Sequence, residues 1–64
     1  MDLRELYYLN ALAEEQSISK AAERLYIAQA SLSRFLRQFE AQLGSPLFVR
    51  TNKGIRPTPS GKVF

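Results

Sequence analysis

Leucine and alanine recur at three- and four-residue steps from Leu3 through Leu6, Leu9 and Leu12 to Ala13. That period predicts an amphipathic helix over 3–15. Asp2 and Glu5 have the spacing of a capping box at its start. Ser17-Ile18-Ser19 interrupts the pattern, and Ser19 is the expected cap of a second helix, Lys20 to Leu25. Its inward face is expected to be Ala21, Ala22 and Leu25. Tyr26 to Gln29 has no period and reads as a turn. The stripe then resumes with Leu32, Leu36, Phe39 and Leu43, which predicts a third helix from Ala30 to Leu43. Gly44 and Pro46 end it.

The last third of the chain has a different rhythm. Leu47-Phe48-Val49-Arg50 is short, apolar and partly β-branched. Asn52-Lys53-Gly54 supplies turn chemistry, and Ile55-Arg56 leads into Pro57. Together these predict a small β-hairpin with a basic tip. Thr58-Pro59 has the form of an N-cap with proline at the first helical position, opening a fourth helix. The residues after it are too few for a helix that needs roughly 12–15 to hold alone. The chain therefore reads as a piece of a longer protein.

Sixty-four residues suffice for one domain with one modest core. Histidine and cysteine are absent. Their absence excludes Cys/His zinc sites, histidine-based triads, thiol nucleophiles and disulfides. No enzyme and no cofactor is expected. The apolar runs are too short to span a membrane, and the first residues lack the pattern of a signal peptide. A cytoplasmic protein is the expectation.

The net charge is +3, but it is unevenly spread. Residues 1–32 carry five acids and three bases. Residues 33–64 carry Arg34, Arg37, Arg50, Lys53, Arg56 and Lys62 against Glu40 alone. A basic half on a small domain suits a polyanionic partner.

Two helices joined by a tight turn leave the start of the second exposed, and Ile18 to Arg37 meets that requirement. Ala21 and Ala22 are small where helices cross, and Ile27 and Leu32 can seal the junction. Off the apolar stripe lie Gln29, Ala30, Ser31, Ser33, Arg34 and Arg37. Arginine pairs with guanine, glutamine with adenine, and serine with base or backbone. Arg50, Thr51, Lys53 and Arg56 cluster around the hairpin, where long cations can reach phosphates or the minor groove. The expected fold is mainly α: a winged helix-turn-helix, with a three-helix core, a β-hairpin wing and the start of a linker helix. The domain occupies 1–58 and the linker helix begins at 59–64. The expected function is double-stranded DNA binding. The competing reading is a winged-helix domain used for protein or RNA contact.

The whole chain resembles the N-terminal domain of LysR-type transcriptional regulators. Leu3-Arg4-Glu5-Leu6, Ala21-Ala22-Glu23-Arg24-Leu25, Ala28-Gln29 and Leu32-Ser33-Arg34 carry the likeness. Phe39-Glu40 to Leu43-Gly44, Pro46-Leu47-Phe48 with Arg50, and Thr58-Pro59 before Gly61 extend it. The resemblance implies bacterial transcription regulation and recognition of an interrupted palindrome, one operator half-site per domain. It also implies a homo-oligomer joined through a linker helix, and a small-molecule effector bound by a further domain. Two positions depart from the family pattern. Ala30 stands where proline is usual, and Phe35 stands where a polar residue is usual. Partial burial is the plainer expectation for Phe35, with contact to a thymine methyl or a sugar the other.

Overall fold

The computed structural model describes residues 2–51 and 54–59. Three helices are followed by a two-stranded hairpin: α1 (Leu3–Glu15), α2 (Ile18–Leu25), α3 (Gln29–Leu43), β1 (Phe48–Thr51) and β2 (Gly54–Pro57). Lys53 at the expected wing tip, and residues 60–64 of the expected linker helix, lie outside the described residues.

The capping box at α1 is present. Asp2 accepts from the Glu5 N–H at 2.9 Å, and Glu5 accepts from the Asp2 N–H at 3.0 Å. Two orphan donors are thereby satisfied reciprocally. The second helix begins two residues earlier than expected. Ser17, not Ser19, is its cap, with extended backbone and a side chain that accepts from the Lys20 N–H at 3.1 Å. Ile18 thereby becomes helical and buried. That burial decides between the two serines, because capping at Ser19 would leave Ile18 outside the helix that now carries it into the core.

The third helix begins at Gln29, one residue before the expected start, with Ala28 at the cap position. Gly44 takes the left-handed conformation at its end, φ 79°, and its N–H donates to the Glu40 carbonyl. Tyr26 also adopts a left-handed backbone, φ 59°, between α2 and α3. Its N–H returns to the Glu23 carbonyl and that of Ile27 to the Ala22 carbonyl, closing the turn.

The core is built from Leu9, Ala11, Leu12, Ile18, Ala21, Ala22, Leu32, Leu36, Leu47 and Ile55. Leu25, Ile27, Phe35 and Phe39 pack against it, partly buried. The apolar stripe of α1 overstates its inward face. Leu3 and Leu6 are 63% and 48% exposed, and Ala13 is exposed, whereas Ala11 is fully buried. Apolar burial on α1 begins only at Tyr8 and Leu9, so its first turn runs past the small core. The hairpin is shifted by one residue from its expected strands: Leu47 precedes β1 as a core residue, and Thr51 and Gly54 belong to the strands.

Candidate nucleic-acid interface

The start of α3 stands free of the core on one side. Gln29, Ala30, Ser31, Arg34 and Arg37 are exposed and Ser33 is half-buried, while Leu32 and Leu36 face inward. Ala28 gives no side-chain cap. The first-turn N–H groups of α3 thus receive no acceptor from a cap side chain. Ala30 is a good helix former, so the missing proline leaves the helix intact. Phe35 lies edge-on to Tyr8, centroids 5.1 Å apart, and 5.7 Å from Phe39. Such pairs are favourable, and they commit this ring to the chain's own core.

The hairpin splits its cations between two faces. Arg50 pairs with Ile55 across the ladder, and Val49 with Arg56. Directly opposed residues share a face and neighbours alternate. Arg50 therefore shares the face of buried Ile55, while Arg56 lies with exposed Val49 on the other. Thr51 donates its hydroxyl to the Gly54 carbonyl at 3.1 Å, which closes the hairpin.

Arg50 and Thr51 are brought beside the start of α3. With Gln29 they line a shallow, open hollow of about 250 Å³, completed by Ser17, Ile18 and Ser19 of α2 and by Gly54 and Ile55 of β2. The expected set is therefore not one patch. Gln29, Arg50 and Thr51 converge, Arg34 and Arg37 continue along α3, and Arg56 stands apart. In the sequence Ser17 was legible only as a break in the helical pattern and Ser19 as a cap; their place beside Arg50 depends on the hairpin folding back over α2.

The wing's root is tied to the helices at two places and closed on itself at a third. The Glu40 carboxylate accepts the Leu47 N–H at 2.6 Å and the Phe48 N–H at 3.1 Å. The Ile55 N–H donates to the Gln16 carbonyl at 3.0 Å. Thr58, expected as an N-cap, donates its hydroxyl to the Pro46 carbonyl at 2.7 Å and its N–H to the Leu47 carbonyl at 2.8 Å. Pro59 is helical, and any continuation lies outside the described residues.

Arg24, on α2, is engaged elsewhere. Its guanidinium meets Glu14 at 2.7 Å and Glu15 at 3.3 Å. The hydrogen bond to Glu14 chiefly raises its pKa. This exposed group is engaged by the acidic end of α1.

These elements define a winged helix-turn-helix domain. Residues 3–62 match the family model described as bacterial regulatory helix-turn-helix protein, lysR family. The chain belongs to the LysR family. It is 45% identical over its full 64 residues to the HTH-type transcriptional regulator BenM of Acinetobacter baylyi, of which it spans 21%. It is 45% identical over 62 residues to the uncharacterized HTH-type transcriptional regulator YkuM of Bacillus subtilis, again spanning 97% of this chain and 21% of the relative. The chain thus spans about a fifth of the length of these relatives. Among solved structures, the DNA-binding domain of BenM in complex with catB site 1 DNA superposes with TM-score 0.92 at 45% identity, covering all of this chain and 72% of that one. The CbnR DNA-binding domain in complex with DNA also gives TM-score 0.92, at 38% identity, covering all of this chain and 74% of that one.

Proposed function

We propose that this domain binds double-stranded DNA with sequence preference on behalf of a transcriptional regulator, with α3 in the major groove and the wing on the backbone or in the minor groove. The observation that carries the proposal is the juxtaposition of the polar start of α3 with Arg50 and Thr51 around one open hollow. Base-reading side chains and a phosphate-seeking cation are thereby presented together. Support comes from the two relatives whose matching domains are in DNA complexes. Gln29, Ala30, Ser31, Ser33, Arg34 and Arg37 form the reading face. Arg50, Thr51, Lys53 and Arg56 supply backbone contacts.

The role is regulatory, not enzymatic, in keeping with relatives that are transcriptional regulators. The whole protein acts as a homo-oligomer through a linker helix and responds to a small-molecule effector bound outside these residues. No helix among the described residues is long and apolar enough to cross a membrane, and the protein works in the cytoplasm, where its DNA is.

Arg34 provides the test. It is exposed on α3 beyond the first turn, off the Leu32/Leu36 stripe. Arg34→Ala is expected to weaken binding to a preferred duplex by about 1–3 kcal/mol and to relax preference at one base pair. A fluorescence-anisotropy titration against single-position duplex variants measures both. Unchanged affinity with unchanged preference would remove Arg34 from the reading face.

A further inference from the structure

Glu40 is the one acidic residue in the otherwise cationic half of the chain, 33–64. On a surface that meets phosphates, a carboxylate repels the ligand. Here the carboxylate is directed away from that use. One oxygen, Oε2, accepts from the backbone N–H groups of both Leu47 and Phe48, at 2.6 and 3.1 Å, in a part-buried setting. Charge-assisted bonds of this kind are short and strong. They run from the last turn of the reading helix to the first residue of β1 and the residue before it. Leu47 is itself 1% exposed, so its backbone has no ready substitute in water.

From this we infer that Glu40 is a positioning residue for DNA binding: it fixes the angle between α3 and the wing, so that groove and backbone contacts form together. The inference rests on the DNA-binding reading above. The other ties act on different parts of the wing. Gln16 holds β2 against the α1–α2 turn, and Thr58 closes the wing root on itself. Glu40 joins the reading helix to β1 directly.

The test is a pair of mutant cycles read over a range of salt concentrations. Glu40→Ala is expected to lower the slope of log affinity against log salt by about one for each phosphate contact the displaced wing gives up, that of Arg56 among them. In that background Arg56→Ala has no further effect, whereas Arg34→Ala weakens binding by the same factor as in the parent. Base preference is unchanged. Glu40→Gln keeps an acceptor oxygen at the same reach and restores the parental slope. Glu40→Asp keeps the charge but is one methylene shorter, and shows the wing defect. This last pair decides the matter if Glu40→Ala lacks a cooperative melt. An Arg56→Ala effect equal in both backgrounds, a parental slope in Glu40→Ala, or parental behaviour of Glu40→Asp would overturn the inference. A parent that shows no sequence preference would instead overturn the DNA-binding reading itself.

Discussion

Leu36→Ala is expected to leave the domain largely unfolded at room temperature. Leu36 is 4% exposed and is one of two α3 residues, with Leu32, that are buried in the core. Removing most of a leucine side chain loses its transfer free energy and opens a cavity, at a cost of about 2–5 kcal/mol. A domain of this size draws only about 3–5 kcal/mol from its single core. The loss is therefore comparable to the whole. The core offers little material to refill the space, because three of its ten buried residues, Ala11, Ala21 and Ala22, are small. A thermal melt followed by circular dichroism checks this. A cooperative transition within a few degrees of the parent's would show that Leu36 does not hold the core together.

The second large effect is expected at Gly54. Its φ is 126°, where L side chains are rarely found. A Cβ added there would collide with the Gln16 carbonyl oxygen, and that is backbone, which cannot swing aside. The same carbonyl accepts the Ile55 N–H, so the collision also breaks the tie between wing and helices. The backbone region alone costs about 1–3 kcal/mol, and the clash adds to it. Gly44 is the internal control. It also has positive φ, 79°, but nothing lies within 4 Å of a Cβ built there. Gly44→Ala is expected to cost about 1–2 kcal/mol for the left-handed conformation alone. Denaturant titrations of both variants give the comparison. Equal losses would show that β2 is free to move away from the α1–α2 turn.

The contrast between the two glycines shows where sequence reasoning reached and where it stopped. Gly44 was legible, because a helix ending on glycine before proline is a local signal. Gly54 was legible only as turn chemistry. The close approach to Gln16 that demands glycine is a contact between residues 38 positions apart. Helix periods were similarly legible in 3–15 and in the third helix, where apolar spacing records which side faces inward. The same spacing failed at Leu3 and Leu6, and again at Leu43, which is 44% exposed at the end of α3, because a period marks a face but not how far along it the core extends. It failed at Ser17 and Ser19 because either serine satisfies the local capping rule, and burial of Ile18 makes the choice.

The candidate site follows the same division. The off-stripe residues of α3 were readable from period alone. The hairpin's cations were readable as a cluster, but a two-residue alternation places Arg50 and Arg56 on opposite faces. Once the register is known, Arg50 is the described hairpin cation that meets Gln29 at the hollow. Glu40 carried no local signal of its role: at its position in α3 it looks like an ordinary solvated charge.

The most direct measurement of the central claim is enrichment of this protein's targets from a randomised duplex pool, followed by salt titration of enriched and random duplexes. Sequence-specific binding predicts a shared motif among the enriched duplexes. It also predicts tighter affinity for them, by a factor on the order of 10³ or more for a complete site, and a gap that persists as salt weakens both. A pool that returns no motif, with enriched and random duplexes bound equally at every salt concentration, would contradict it.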